Sequence, residues 1–220
     1  DLVKASSETR DKVLAKNLVP DFFWYGVHPF GEQQGTDSVA QAFWRPLLKS
    51  WIRVQRRQDI FFAGTSEIDQ TDWVVSMGNL MGLFDHPWLG IPASRKMSFL
   101  RYAEFLCVEN KRITRGAFFC DLIGVMNQQG IHPLPPQTGA SFVYPGPKTH
   151  DGLLYETSDT EESVKTLKLI NRMISDQDQL YRSGNDLPLP EQLSPCWHED
   201  MIWYGPAGIG ATYTIPRYQE

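Results

Sequence analysis

The sequence has few cysteines, and they form no metal-binding pattern. Its three cysteines, Cys107, Cys120 and Cys196, lie far apart along the chain. There is no Cys-x-x-Cys pair, and none of the five histidines has a spacing that suits zinc. We therefore predict no metal site and buried free thiols, which are typical of a protein kept in the reducing cytoplasm.

An excess of positive charge is also missing. The chain has 21 lysines and arginines against 26 aspartates and glutamates, which gives a formal net charge of -5. A nucleic acid needs a broad basic face to hold its phosphates, so we exclude it as a partner. Arg53, Arg56 and Arg57 do cluster, and we expect them to be solvated at a strand start or to form salt bridges.

Long apolar runs are absent as well. No run approaches the ~20 residues that a membrane-spanning helix needs, and the first residues, Asp1-Leu2-Val3-Lys4, lack the apolar core of a signal peptide. These absences predict a soluble cytoplasmic protein with no membrane partner.

The patterns that are present predict an α+β fold. With 220 residues, 41% of them hydrophobic, the chain can bury one good core. Helical spacing over 7–19 and 37–51 is followed by strand periodicity, and Pro46 should bend or break the second helix. The predicted strands are Ile60–Ile68, Trp73–Phe84, Met97–Glu109 and Arg112–Met126. We expect a cone, in which N-terminal helices pack in a long, curved antiparallel sheet.

Composition divides the chain into three parts. Five prolines between 131 and 151 indicate an extended linker, so we predict a cone domain over 1–130 and a linker over 131–158. The remainder, 159–220, begins with an amphipathic helix. It also contains a block, Asp200–Gly210, that matches Asp21–Gly31 at five of eleven positions. This match predicts an internal repeat whose second copy is incomplete.

Asp121 is the first candidate for chemistry. It is a single carboxylate inside the last predicted strand, between apolar β-formers, and burying an unpaired carboxylate costs several kcal/mol. A catalytic role, a polar contact to a ligand and a structural pairing with an arginine remain open. A two-residue turn at Asn110-Lys111 would place Asp121 on the face of Tyr102 and Glu104.

A three-residue turn would instead place Asp121 on the face of Arg101. We favour this register because Met97, Phe99, Ala103, Phe105 and Cys107 make that face the more apolar one. Arg101 could then hold Asp121 ionised, whereas Glu104 is expected to be a solvated strand residue.

Two aromatic segments, Asp21–Gly31 and Asp85–Pro92, supply the other candidates. We expect both to pass the mouth of a cavity, and each carries one histidine, His28 or His86, the side-chain type most suited to proton exchange at neutral pH. Each histidine is expected to be a hydrogen-bonded rim residue or a proton donor. The aromatic residues Trp24, Tyr25 and Trp88 are expected to pack the core or to form a substrate wall. Together with Arg101, these residues are the predicted substrate-binding set.

Several runs of residues resemble a known family. They are Trp88–Ala93, Arg101–Phe105, Lys111–Ile113 and Asp121–Gln128. Over roughly Val13 to Gly130, the chain resembles the SnoaL-like polyketide cyclases and predicted ester cyclases. These belong to the cystatin-like superfamily, which also holds nuclear transport factor two and the ketosteroid isomerases. Two-domain members carry a second copy after a proline-rich linker.

The resemblance implies a pocket inside the cone that takes a hydrophobic, oxygenated small molecule. It implies one aspartate acting as acid and base in an aldol condensation or isomerisation, without metal or cofactor, and on that basis Asp121 is the predicted catalytic residue. It also implies a homodimer that forms through the outer face of the sheet. The alternative is a non-catalytic ligand-binding or assembly module of the same fold.

Overall fold

A computed structural model describes residues 12–13, 16–141, 151–184, 191 and 195–219. Contacts divide the chain into two compact units. The first contains the described residues up to Pro133 together with 151–155, and the second contains 134–141 and 156–219. The predicted linker is therefore shared between the two units.

A six-stranded sheet forms the first unit. Its strands are β1 Leu18–Gly26, β2 Gly31–Gln34, β3 Trp51–Thr65, β4 Asp72–Phe84, β5 Met97–Glu109 and β6 Arg112–Cys120. Their order in the sheet is β2-β1-β6-β5-β4-β3, and every neighbouring pair is antiparallel except β1 and β6. The predicted α+β class and the predicted strands Trp73–Phe84 and Met97–Glu109 are confirmed. The first predicted strand, Ile60–Ile68, overlaps β3, which begins nine residues earlier and ends three residues earlier. The last strand ends six residues early.

Bulges bend the long edge strand β3. Its pairing with β4 shifts between Ile52 and Gln55 and again between Gln58 and Ile60, and such shifts increase the local twist and bend the strand. Gly78 of β4 lies against the second bulge, where a Cβ atom would come within 1.9 Å of the Arg57 carbonyl oxygen. Only glycine allows the two backbones to approach this closely.

The helical segment of the first unit runs between β2 and β3. It consists of α1 Thr36–Val39, a π-helical stretch Ala40–Trp44 and α2 Arg45–Ser50. The wide π-turn lies just before Pro46, which has no N–H to continue regular α-helical bonding. The predicted helix and its break at Pro46 are confirmed. Most of the earlier predicted helix, 7–19, lies outside the described residues. Its predicted end is wrong, because Leu18 and Val19 belong to β1, whereas residues 12, 13, 16 and 17 are helical.

The segment Asp21–Gly31 differs from the prediction. Instead of an irregular passage across a cavity mouth, it forms most of β1, a turn and the start of β2. The strand alternates strictly: Phe22, Trp24 and Gly26 are buried, whereas Phe23 and Tyr25 are exposed. This period of two is the ordinary pattern of a half-buried strand.

Aromatic rings fill the space between the helices and one face of the sheet. Phe43 is fully buried at the centre, with ring centroids 4.8 to 6.1 Å from those of five neighbours. These neighbours are Trp24, Phe30, Trp44, Trp88 and Phe118. We call the sheet face that packs against this cluster the inner face, and the opposite one the outer face.

On β5 the inner face carries Ser98, Leu100, Tyr102 and Glu104, all of which are buried. The five residues that make the alternate face the more apolar one lie on the outer face, where only Cys107 of the five is fully buried. They are Met97, Phe99, Ala103, Phe105 and Cys107. Because both faces of β5 carry apolar residues, apolar content alone did not predict which face packs against the core.

The second unit contains a long helix and a small hairpin. The long helix spans Thr160–Ser183, capped by the Asp159 side chain, which accepts from the Glu162 N–H. The hairpin strands are β7 Ile202–Trp203 and β8 Thr212–Tyr213, followed by a short helix, Ile215–Gln219.

The two blocks of the predicted repeat share local features. Each contains the first strand of an antiparallel hairpin, and in each a glycine lies against the tryptophan two residues before it: Gly26 against Trp24, and Gly205 against Trp203. Each block also ends on a glycine with positive φ, 62° at Gly31 and 88° at Gly210. The duplication itself stays a prediction.

Candidate functional site

Asp121 caps a helix rather than lying within a strand. β6 ends at Cys120, and the residues after Asp121 form a short helix, Leu122–Gln128. The Asp121 Oδ1 accepts from the Gly124 N–H at 2.7 Å, and its own N–H donates to the Arg101 carbonyl at 3.0 Å. The prediction of a strand through Met126 is wrong here. Leu122, Val125 and Met126 have helical spacing and pack against the core.

The turn before β6 has two residues, Asn110 and Lys111, both with positive φ. The predicted three-residue turn is therefore wrong. A register shift between Cys107 and Val108 adds one residue to β6, however, so that Tyr102 pairs with Cys120. Asp121, the next residue, therefore lies opposite Arg101. The predicted three-residue turn would have given Asp121 the same neighbour.

Because Asp121 is a helix cap, its substitution has a predictable effect on stability. Asp121→Ala removes the acceptor for the Gly124 N–H, and should lower the free energy of unfolding by about 1 kcal/mol. Asp121→Asn keeps an acceptor and should change it by about 0.3 kcal/mol or less. Urea titrations of both variants check this, and equal losses would contradict a capping role.

The other predicted site residues separate into two groups. Trp24 and Trp88 are both buried in the aromatic cluster, each within 6.4 Å of Phe30 between ring centroids. The remaining four do not join them. Arg101 is half-buried on the outer face of β5. His28 is exposed at the β1–β2 turn, His86 is exposed 3.3 Å from Asp85, and Tyr25 lies on the outer face beside Phe119. Their ligand-binding roles stay predictions.

The structure brings together a different set of polar residues on the inner face. Arg56 of β3 donates to the Glu104 Oε2 of β5 at 2.7 Å. The Arg56 guanidinium also lies over the Tyr102 ring, 4.7 Å from its centroid. The Tyr102 hydroxyl and the Ser76 Oγ are 3.0 Å apart, and Gln58 Nε2 donates to the same Ser76 oxygen at 3.0 Å. We call these five residues the inner-face polar cluster.

Burial makes this cluster electrostatically unusual. The side chains of Arg56 and Glu104 are 23% and 10% exposed, whereas Tyr102 and Ser76 are buried. Burial lowers the pKa of Arg56, but the charge of Glu104, the neighbouring Tyr102 hydroxyl and the bond to Glu104 outweigh it and raise that pKa above its ordinary value. Burial also raises the pKa of the Tyr102 hydroxyl. The cluster therefore holds a charged pair beside a neutral phenol.

The sequence predicted the pairing of one residue of this cluster and not the burial of another. Arg56 was expected to be solvated or to form a salt bridge, and the structure shows the salt bridge. Glu104 was expected to be solvated, which is wrong because it faces the core. The available signal was the alternation of β5, in which Tyr102 and Glu104 share a face with Leu100. A carboxylate two residues from a buried tyrosine then requires a cation, and Arg56 supplies it.

Cys120 at the end of β6 is a partly buried thiol that packs against the core. Burial, together with the charge of Asp121, raises the pKa of the Cys120 thiol to about 12. Since only the thiolate reacts, alkylation by iodoacetamide at pH 8 should be about a thousandfold slower than for an ordinary exposed thiol. Mass spectrometry of labelled peptides measures this. Labelling in urea, where the pKa returns to its ordinary value, is the control, and fast labelling of the folded chain would contradict the burial.

No helix in the described part of the chain is long and apolar enough to cross a membrane. Among the same described residues, no three or more histidine, cysteine, aspartate or glutamate side chains come together in a way that could hold a metal ion.

Comparisons with known proteins give matches among solved structures. A candidate SnoaL-like polyketide cyclase from Jannaschia sp. CCS1 is 22% identical, with 61% of this chain and 87% of that chain covered and a TM-score of 0.45. IdmH, a candidate polyketide cyclase from Streptomyces antibioticus, is 14% identical, with 59% and 94% covered and a TM-score of 0.47.

An NTF2-like protein from Burkholderia thailandensis E264 is 18% identical, with 59% of this chain and 92% of that chain covered and a TM-score of 0.43. No protein-family model matches the sequence, and no curated protein matches it.

Proposed function

We propose that the first unit is a cofactor-independent acid–base enzyme that acts on a hydrophobic, oxygenated small molecule at the inner-face polar cluster. The observation that carries this proposal is the Arg56–Glu104 pair, a base and a cation held 2.7 Å apart beside aromatic walls. Trp44 and Tyr102 both lie against the Arg56 guanidinium, at 6.0 and 4.7 Å. Such surroundings suit a flat carbonyl compound.

The chemistry begins with removal of a proton next to a carbonyl group. Arg56 holds Oε2 of Glu104, so the proton passes from the substrate carbon to Oε1. The electrons of the broken C–H bond form the carbon–carbon double bond of an enolate, whose oxygen takes the negative charge. Arg56 stabilises that oxygen, and Glu104 then returns the proton. The aldol condensation that the family resemblance implies starts with the same step.

A general test does not require the natural substrate. The α-hydrogens of 2-tetralone, a flat bicyclic ketone, exchange with deuterium in D₂O when a base removes them, and NMR follows the exchange. The wild-type chain should accelerate this exchange, and Glu104→Gln should reduce the acceleration at least about 100-fold, which is the lower range for a general base. Unchanged exchange in Glu104→Gln would contradict the proposal.

Asp121→Asn is the matched variant for the same assay. It tests the role that the sequence predicts for Asp121 while keeping the helix cap, so a loss of activity would not come from unfolding. If Glu104 is the base, Asp121→Asn retains exchange close to the wild-type rate. If Asp121→Asn alone abolishes exchange, Asp121 is the base and the role assigned to Glu104 is wrong.

A second candidate function is a non-catalytic binding module. It is favoured by the aromatic rings that fill the space beneath Tyr102, where Phe118 stacks on it at 5.7 Å. Such a module would bind 2-tetralone, seen as quenching of tryptophan fluorescence, without accelerating its exchange. The two measurements on one sample therefore separate the two functions.

We also propose that a second copy of the chain covers the outer face. A groove of about 630 Å³ runs over this face. Its lining is mostly apolar and includes Phe62, Trp73, Val75, Phe105, Ala117 and Phe119. Phe119→Glu should convert the dimer to a monomer in sedimentation velocity runs. A wild-type chain that sediments as a monomer would contradict this proposal.

A further inference from the structure

The edge strand of the sheet has a short partner from much later in the chain. β3 is the edge strand of the sheet, so the backbone N–H and C=O groups on its side away from β4 would face solvent. At Phe61 they do not, because the Phe61 N–H donates to the Gly152 carbonyl and the Leu154 N–H donates to the Phe61 carbonyl, both at 2.7 Å. We call residues 151–155 the edge strap.

The edge strap is connected to the inner-face polar cluster through Tyr155. The Tyr155 ring packs on Phe61, with centroids 5.0 Å apart, and its hydroxyl donates to Gln58 Oε1 at 3.4 Å. Gln58 in turn donates to Ser76, which bonds the Tyr102 hydroxyl. A continuous series of hydrogen bonds thus runs from an exposed tyrosine to the buried ring beneath Arg56.

The direction of these bonds gives Tyr155 a specific effect. A glutamine amide has one acceptor oxygen and one donor nitrogen, and rotation by half a turn exchanges them. By donating to Oε1, Tyr155 keeps the oxygen of Gln58 toward the strap and the NH₂ group toward Ser76. Ser76 therefore receives a donor from Gln58, which leaves its own proton for Tyr102 or for a ligand.

The strap is held weakly compared with the sheet that it covers. Its pairing with β3 is a single bridge between Phe61 and Leu153, and 62% of the Tyr155 surface is exposed. A segment with so few contacts opens at low free energy while the remainder of the domain stays folded. Its position beside Gln58 means that opening would change the polar edge of the cluster.

We propose that the edge strap controls which ligands the inner-face polar cluster accepts, and that Tyr155 is the positioning residue that orients Gln58 toward Ser76. With the strap paired, the cluster presents a fixed donor arrangement that selects ligands with a carbonyl or hydroxyl oxygen. With the strap detached, Gln58 turns and this selectivity is lost. The inference rests on the ligand site proposed above, but it does not require that Glu104 be a catalytic base.

The first experiment tests the pairing by hydrogen–deuterium exchange of the full chain. Leu154→Pro removes the N–H that donates to Phe61, and should speed exchange of the Phe61 amide at least about tenfold, since losing one bond of a two-bond bridge frees the other. Leu153→Pro is the matched control, because the Leu153 N–H makes no bond to Phe61. Equal exchange in the two variants would overturn the pairing.

The second experiment tests selectivity with two ligands of the same shape. Dissociation constants for 2-tetralone and for tetralin, which lacks the oxygen, are measured by tryptophan fluorescence. Tyr155→Phe keeps the ring and removes the hydroxyl, and should reduce the preference for 2-tetralone about fivefold, the value of one hydrogen bond. An unchanged preference would overturn the role of Tyr155, and so would a wild-type chain that binds neither compound.

The two proposals fail in distinguishable ways. If Glu104→Gln retains deuterium exchange of 2-tetralone while Tyr155→Phe still lowers the preference for it, the catalytic assignment is wrong and the strap inference holds. If Tyr155→Phe and Leu154→Pro leave ligand preference unchanged while Glu104→Gln abolishes catalysis, the catalytic assignment holds and the strap inference is wrong.

Discussion

Phe43→Ala is expected to lower the free energy of unfolding by about 4 kcal/mol, within the range seen when a buried phenylalanine is cut back to alanine. Phe43 has no exposed surface and its ring contacts aromatic neighbours from β1, the helical segment, the loop after β4, and β6. Removing it leaves a cavity that rigid tryptophan and phenylalanine rings cannot close. Urea unfolding followed by tryptophan fluorescence measures the loss, since five of the seven tryptophans belong to the first unit.

Two further substitutions make this result interpretable. Phe43→Leu retains most of the volume and should lose about 1.5 kcal/mol or less. Phe23→Ala removes the same side chain from β1, where it is 41% exposed and lies outside the groove of the outer face, and should lose about 1 kcal/mol or less. A loss for Phe23→Ala as large as that for Phe43→Ala would show that the outer face, and not the aromatic cluster, stabilises the domain.

The contrast between these two phenylalanines also shows what the sequence could predict. Long strands are visible as alternation of apolar and polar residues, so the bounds of β5 were predicted without error and those of β4 within one residue. The helical segment was visible by its spacing, and Pro46 by its missing N–H. These features depend on neighbours a few residues apart, which is the information that a sequence pattern contains.

The sequence pattern did not predict which face of a strand is buried. Both faces of β5 carry apolar residues, and the side with Phe99, Ala103 and Phe105 has more of them than the side with Tyr102 and Glu104. The choice is made by the helical segment, which covers one face only. Glu104 is on that face because Arg56 is there to pair with it, and these two residues lie 48 positions apart.

The placement of Asp121 depended on a similar non-local fact. An apolar run such as Leu122–Met126 is compatible with a strand or with one face of a helix, and short runs of this kind are ambiguous. The Asp-x-x-Gly pattern was the signal for a cap, because Gly124 allows the carboxylate to approach the backbone N–H. The bulge in β6, which places Asp121 opposite Arg101, could not be predicted from the sequence.

The Arg56–Glu104 pair leads to the second large expected effect. Glu104→Ala should lower the free energy of unfolding by about 3 kcal/mol, because it leaves the Arg56 guanidinium with little solvent and without its carboxylate. The lower part of the range for buried pairs applies since 23% of the Arg56 side chain is exposed. The double variant Arg56→Met with Glu104→Leu, which removes both charges and fills the space, should recover most of this loss.

The first unit itself provides a matched pair. Arg45 and Asp37 are also 2.7 Å apart, but their side chains are 50% and 66% exposed. Arg45→Ala should therefore lose about 0.5 kcal/mol or less, because water replaces the contact. If Glu104→Ala loses no more than Arg45→Ala, the Arg56–Glu104 pair is solvated in solution. The desolvated base on which the proposed chemistry depends would then not exist, whatever activity the chain retained.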